Sequence, residues 1–332
     1  MTSGISIILC THNGASRLEP TLEHLCRLDK VEEMELIIVD NVSTDNTNTF
    51  CTEYLTQHAT YPWKVVYEEK PGLIHARQKG IAESQYDILL FCDDDNYLDP
   101  TYVRIGEEIM NKHSKIGALG GNGAPVFESE KPDWFDKYHY SFAVGKQADK
   151  SGKLSSKTAE IYGAASFWRK SVLQLIEHKG IETVLTGRKG NQLVSGDDVE
   201  WCFLVQLAGY EIWYEQQLKF KHLMTAGRLT WEYYLKLKKG ISAGSALLFP
   251  YGYLLNQMGK NTFLFSVHYW LKAGDSVSRY YIFLLKYSLF SKISATQKEL
   301  ADSILKSRMT SYLNNYKRAL NQFKKIQNLF NL

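Results

Sequence analysis

Three consecutive aspartates, Asp93, Asp94 and Asp95, close the apolar run at residues 88–92 and are followed by Asn96. Adjacent carboxylates repel one another, and a hard divalent cation such as Mg2+ or Mn2+, which prefers oxygen ligands, relieves that repulsion. A solvated acidic turn is the plainer alternative, but it would not need a hydrophobic strand feeding into it. A second acidic pair, Asp197 and Asp198, follows Gly196 and opens a helical segment together with Glu200. The positive end of a helix dipole accounts for one acidic side chain at that place. Two, beside Trp201 and after a glycine-containing loop, point to a functional carboxylate.

The elements that must position these groups alternate regularly. Residues 5–10 read as a strand stopped by Thr11, His12, Asn13 and Gly14, and Leu18, Leu22, Leu25 and Leu28 recur at helical spacing. Residues 35–39 form a second strand ending at Asp40, and the loop 41–45 caps a helix running towards His58. A short third strand at 64–67, a helix from Ile74 to about Ser84, the strand that ends in the aspartates, and a helix started by Pro100 complete the series. Connecting helices of this length allow right-handed crossovers, which predicts an α/β fold with a mostly parallel central sheet flanked by helices. The polar strand ends at residues 11–13, 40 and 93–95 then converge on one edge, where such sheets bind ligands. Neither a Gly-x-Gly-x-x-Gly turn nor a Gly-x-x-x-x-Gly-Lys-Ser/Thr loop is present, so phosphates are expected to be held by a metal rather than by a glycine nest.

Further along, residues 116–121 and 161–168 read as strands, and the turn-rich, aromatic stretch 131–157 reads as an excursion over the site. A helix is expected at 171–179, a polar loop at 187–195, a helix at 201–207, and a closing pair of strands at 210–214 and 218–222. From Leu229 onwards the pattern is helical and basic, a C-terminal extension.

A chain of 332 residues with 44% hydrophobic and 13% aromatic content can bury a real core, and a net charge of +3 is too small to argue for nucleic-acid binding. Five cysteines without paired short spacing look like buried thiols of a reducing compartment. The N-terminus carries no basic segment with an apolar stretch behind it, and no run of about 20 apolar residues is present, so a cytoplasmic protein is expected. The longest apolar stretches are interrupted, one by Pro250 and Gly252 and the other by Lys286.

The ordered set Thr11-His12-Asn13, Asp40-Asn41 with Ser43 and Asp45, Gly72 with Ala76-Arg77 and Gly80, residues 91–96, and Gly196-Asp197-Asp198 with Glu200 resembles the signature of the family 2 glycosyltransferases. These are inverting enzymes of the GT-A fold that use nucleotide-diphosphate sugars. The resemblance covers residues 4–222 and implies a catalytic, donor-binding domain at 1–222, with a mainly helical region at 223–332. It implies Asp93 and Asp95 as ligands of Mn2+ or Mg2+, with Asp94 at the variable middle position on the donor-binding side and His222 as a candidate beside the diphosphate or metal. Thr11, Asn13 and Asp40 take the places that hold base and ribose, and Arg77 lies near base or diphosphate. Asp40 resembles the acid that recognises uracil, which favours a UDP-sugar. The pair Asp197-Asp198 stands where the family has glutamate and aspartate. Asp198 therefore takes the base position, while the shorter Asp197 leaves open which carboxylate does what.

The implied reaction moves a sugar to a hydroxyl of a glycan or lipid-linked saccharide, in surface polysaccharide biosynthesis, with proton abstraction by a carboxylate and a metal stabilising the leaving diphosphate. A metal-dependent nucleotidyltransferase or a non-catalytic sugar-binding module are the alternatives. Trp134, Phe135 and Trp168 are aromatic candidates for packing on a sugar face, with core packing as the competing reading. The C-terminal region is left among three roles: acceptor groove, homodimer contact, or peripheral contact with the inner face of a membrane.

Overall fold

A computed structural model of the chain describes residues 4–29, 31–181, 183–185, 196–289 and 294–330. In chain order the elements are β1 (Ile5–Thr11), α1 (Leu18–Cys26), β2 (Met34–Asn41), α2 (Thr47–His58), β3 (Trp63–Glu68), α3 (Leu73–Glu83), β4 (Ile88–Asp93), β5 (Asn96–Leu98), α4 (Tyr102–Lys112) and β6 (Ile116–Phe127). There follow α5 (Phe135–Tyr138), β7 (Gly152–Lys153), β8 (Ser166–Arg169), α6 (Lys170–His178), α7 (Asp197–Leu207) and β9 (Glu211–Met224). Five helices end the chain: α8 (Trp231–Ala243), α9 (Ser245–Leu255), α10 (Thr262–Leu289), α11 (Ala295–Asn314) and α12 (Tyr316–Phe330).

The strands form one sheet in the order β3-β2-β1-β4-β8-β6-β9-β5, with β7 paired to β9. The half built from β3, β2, β1 and β4 is parallel, whereas β8 runs antiparallel between β4 and β6. The chain starts in β1, winds outward through β2 and β3, then returns to the other side of β1 as β4. That reversal opens a crevice between the carboxyl ends of β1 and β4. Register keeps the ends level, with Cys10 opposite Asp93 and Thr11 opposite Asp40.

Alternation along the strands sends their apolar side chains to two cores. Ile5, Ile7 and Leu9 of β1, with Leu36 and Ile38 of β2, pack under α1, α2 and α4. Ile8, Ile37, Val39, Leu89 and Phe91 face the other way, against α3, α6 and α7. That second core does not stop at the sheet: it continues through Phe203 of α7 into Tyr251 of α9, Phe265 and Tyr269 of α10, and Phe323 and Ile326 of α12. Each fully buried side chain of this size contributes roughly 1.5–3 kcal/mol. Pro250 and Gly252, which interrupt the apolar run, do not end α9. Its buried face, including Ala246, Tyr251 and Leu254, holds the helix together across the proline.

The expected strands at 210–214 and 218–222 are one strand, β9, of 14 residues. Its polar segment Glu215-Gln216-Gln217 looks like a turn, yet the backbone stays extended and absorbs the extra residues as a register shift against Gly120 and Asn122 of β6. The expected strand at 161–168 shortens to Ser166–Arg169, because the preceding turn, with Ala165 at φ 46°, directs the Gly163 amide out of the sheet. The polar loop expected at 187–195 lies outside the described residues. Among the described residues no helix is long and apolar enough to cross a membrane, and none of the five cysteines is in a disulfide.

Candidate active site

The crevice between β1 and β4 is the mouth of a cleft of about 1150 Å³ whose walls include Thr11, Arg17, Arg77, Asp93, Asp94, Asp95, Asp197, Asp198, His222 and Arg228. The β4–β5 turn supplies the acidic triplet, α3 supplies Arg77, the N-terminus of α7 supplies the acidic pair, and β9 supplies His222. Each aspartate of the triplet meets a guanidinium from a different part of the chain. Arg77 lies 3.8 Å from Asp93, Arg17 lies 2.5 Å from Asp94, and Arg228 lies 2.8 Å from Asp95. The repulsion expected among the three carboxylates is thus offset internally. Asp94 also accepts a hydrogen bond from the Thr11 hydroxyl at 2.6 Å.

Asp95 and His222 are both buried and face each other across the β5–β9 pairing, with His222 Nε2 3.3 Å from Asp95 Oδ1. Arg228 Nη1 contacts both, at 2.8 Å from Asp95 Oδ2 and 3.0 Å from His222 Nε2. Burial alone would lower the Arg228 pKa, but Asp95 and its neighbours outweigh that and hold it above its usual value. A cationic group therefore stands where the carboxylate and imidazole converge. Among the described residues no group of three or more His, Cys, Asp or Glu is arranged to hold a metal ion. The two donors are of the kind that bind a hard-to-borderline divalent ion, and one seated between them would displace the Arg228 guanidinium and take its other ligands from water and a diphosphate.

At the opposite wall, Gly196 adopts φ 113°, a left-handed conformation suited to glycine, and starts α7 so that both aspartates fall in its first turn. Asp197 points to Arg77, Oδ2 to Nη1 at 3.1 Å. The Arg77 guanidinium also lies over the rings of Phe91 and Trp201, at 5.2 and 5.9 Å from their centroids. Burial opposes the Arg77 charge, yet Asp197 and then Asp93 raise its pKa. Asp198 is turned the other way and accepts backbone N–H groups from Gly163 at 3.0 Å and Val199 at 2.9 Å. Desolvation, then the charge of Asp197, push its carboxyl up to about 6. Such a carboxylate is ionised at neutral pH and basic enough to accept a proton.

Not every residue singled out in the sequence reaches the cleft wall. Asn13, at φ 49°, uses its side-chain oxygen to accept the Thr44 amide N–H at 2.8 Å, and the buried Asp40 accepts the Ser43 amide N–H at 3.1 Å. Both shape the loop after β2, whose Asn41 and Val42 line the cleft, Val42 in a left-handed conformation at φ 55° that is rare for a β-branched residue. The aromatic candidates belong to the packing: Phe135 and Trp168 are in the core, and Trp134 packs on Trp231 and Tyr234. The excursion between β6 and β8 instead presents Tyr140, Phe142 and Gln147 to the cleft. Arg17 and Arg228 also reach the cleft, and the sequence gives no sign of it, since a lone arginine outside the regular elements carries no pattern. The spacing of Arg228, six residues after His222, is the nearest signal.

The model of glycosyl transferase family 2 matches residues 6–176. A poly-β-1,6-N-acetyl-D-glucosamine synthase of Staphylococcus epidermidis is 25% identical over 64% of this chain and 48% of its own length, so the chain spans about half of the curated relatives it matches. Two solved structures share the fold at low identity. Residues 1–349 of S. aureus TarS in complex with UDP-GlcNAc superpose with a TM-score of 0.50 at 13% identity, over 95% of this chain and 91% of that one. The mannosyltransferase PcManGT of Pyrobaculum calidifontis, in complex with GDP-Man and Mn2+, gives 0.56 at 14% identity, over 94% and 87%. The architecture is the GT-A fold with a helical C-terminal region.

Proposed function

Since the chain belongs to glycosyl transferase family 2, we propose that it is an inverting glycosyltransferase that moves a sugar from a nucleotide diphosphate, a UDP-sugar in our reading, to a hydroxyl of a glycan or glycolipid. The observation that carries the reading is the pairing, across one cleft, of Asp198 with a carboxyl raised to about 6 and the triplet Asp93–Asp95 at the β1–β4 crevice.

In this reading Asp198 accepts the proton of the acceptor hydroxyl. That oxygen bonds to the anomeric carbon from the side opposite the diphosphate, the carbon–phosphate-oxygen bond breaks, and its electron pair leaves with the diphosphate. Displacement in one step inverts the anomeric configuration. The opposed bonds to Arg77 and to backbone amides divide the labour, Asp197 fixing the guanidinium while Asp198 keeps its basicity. Asp95 and His222 would hold a divalent ion, with Asp93 close by, and such an ion supplies Lewis-acid stabilisation of the charge that develops on the leaving diphosphate. Thr11 and Asp94, already hydrogen-bonded to each other, stand at the donor side with Arg77. Residues 1–222 are taken as the donor-binding and catalytic domain, joined at its site by Arg228, and 223–332 as a mainly helical region for acceptor, dimer or membrane-surface contact. The name of the S. epidermidis relative supports a polysaccharide product. The TarS and PcManGT complexes carry different bases, so the preference for UDP rests on Asp40, which would act from beneath the loop of Asn41 and Val42 that lines the cleft rather than from the wall itself.

The test is binding and slow hydrolysis of UDP-, GDP- and dTDP-sugars, with and without Mn2+, on wild type and Asp95→Ala. Metal-dependent binding of one donor, lost in the variant, is expected. If no nucleotide diphosphate binds under any condition, the enzyme assignment fails while the fold stands.

A further inference from the structure

The charge of the chain is divided unevenly. Residues 256–332 contain twelve Lys and Arg against three Asp and Glu, a net +9, whereas the whole chain is +3, so residues 1–255 carry −6. The same basic end contains α10, 28 residues and about 42 Å long at 1.5 Å per residue. One side of α10 packs into the core through Phe265, Tyr269 and Ala273. Its outer side carries Phe263, Leu264, Trp270, Leu271, Tyr281 and Ile282, which at 100° per residue fall within an arc of about 120°. They are strongly exposed, Phe263 at 71%, Leu271 at 66% and Tyr281 at 61%. Lys272, Arg279 and Lys286, also exposed, flank this face along one edge. Asp275, the one acidic residue of the helix, is ion-paired with both Lys272 at 3.6 Å and Arg279 at 2.8 Å.

We propose that α10 seats the protein on an anionic lipid bilayer surface, its apolar face at the boundary of headgroups and acyl chains and its basic edge towards lipid phosphates. Aromatic and aliphatic side chains on one face with lysine and arginine beside them suit that boundary, where long basic side chains reach the phosphates while their stems stay apolar. Charge selects the occupant. A second copy would bring two +9 regions together, and Leu264, Leu271 and Ile282 set among Phe263, Trp270 and Tyr281 make a continuous apolar face, not the basic groove that tracks a nucleic-acid backbone. Attachment is peripheral, since no described helix can span a bilayer. Donor binding does not depend on this surface.

The experiment is co-sedimentation of the full chain with vesicles of phosphatidylcholine alone or mixed with phosphatidylglycerol, at low and high salt. Wild type is expected on the anionic vesicles, at least roughly tenfold less on the neutral ones, and released by salt. The double variant Phe263→Glu/Leu271→Glu is expected to lose binding, and Arg279→Glu/Lys286→Glu to weaken it about tenfold, both keeping the wild-type melting profile and nucleotide-sugar binding. No binding by wild type to either vesicle overturns the proposal, as does equal binding by wild type and both variants. A dimer in sedimentation velocity that the Phe263 and Leu271 changes dissociate, without vesicle binding, assigns the face to a second copy. Binding of duplex RNA or DNA without vesicle binding assigns it to nucleic acid.

Discussion

Replacing Asp198 by Asn removes a charge and nearly preserves a shape, so stability and turnover should move in opposite directions. The folded-state pKa of Asp198 is about 6 against 3.8 for an ordinary aspartate. Between pH 4 and 6 the folded chain keeps a proton that the unfolded chain releases, so stability is lost as pH rises through this window. Above about pH 6 the ionised side chain destabilises the fold by its full amount, and below about pH 4 it has no such effect. Two pKa units correspond to ~3 kcal/mol, and the partly exposed edge of Asp198 on the cleft reduces this to ~1–2 kcal/mol. Asn resembles the protonated acid in charge, but its one oxygen can accept from Gly163 or Val199 and not from both, so the other N–H faces the amide NH2 at a cost of about 1 kcal/mol. From pH 4 to pH 8 the stability difference is therefore expected to shift in favour of Asp198→Asn by ~1–2 kcal/mol, which at pH 8 outweighs the lost acceptor. Turnover with the donor and acceptor should fall by roughly 10²–10⁴. Denaturant unfolding at the two pH values and a nucleotide-release assay read both quantities. A variant less stable than wild type at pH 8, or one whose kcat stays within tenfold, would refute the reasoning.

Wild-type kcat should rise with pH along a limb near 6, as Asp198 loses its proton, and Asp198→Asn should lack that limb in a pH–rate profile. Arg77→Lys keeps a charge but loses the fork that reaches Asp197 and Asp93 and the flat contact with Phe91 and Trp201. A loss of about 2 kcal/mol in thermal unfolding, with weaker donor binding, is expected. Tyr251→Phe strips one donor from the buried Glu200 and one acceptor from Gln322. The fold should weaken by about 2 kcal/mol in denaturant titration, and an unchanged midpoint would contradict the buried network.

Much of the parallel half of the sheet could be read in the sequence because its strands are short, nearly all apolar, and stopped by polar residues at the same level. Ile5, Ile7, Ile8 and Leu9 have few other ways to be buried, and Asp93 to Asp95 mark where burial ends. Elsewhere, tertiary context overrode local signals. Glu215-Gln216-Gln217 has the composition of a turn but remains in strand because β6 pairs on both sides of it. Pro250 should stop a helix, yet the packing of α9 carries the chain past it. The arginines opposite the aspartates come from positions 17, 77 and 228, and only folding brings them together. Trp168 and Phe135 were legible as aromatic but not as buried, since no local pattern separates a sugar platform from a core ring.

The core that begins at Ile8 and Val39 and ends at Phe323 and Ile326 also bears on how such a chain can be recombined. The helices after β9 cannot be treated as an exchangeable cassette. The helix that bears Asp197 and Asp198 rests on α9, and Glu200 of that helix is linked through Tyr251 to Gln322 near the chain's end. A chimera joined at residue 223 would cut through this shared interior, unless α7 were exchanged along with α9 and α12. Under the proposed function, acceptor choice and base placement are thereby tied to one heritable unit, and a new acceptor surface would arise by changes on the outer faces of these helices while their inner faces stay fixed.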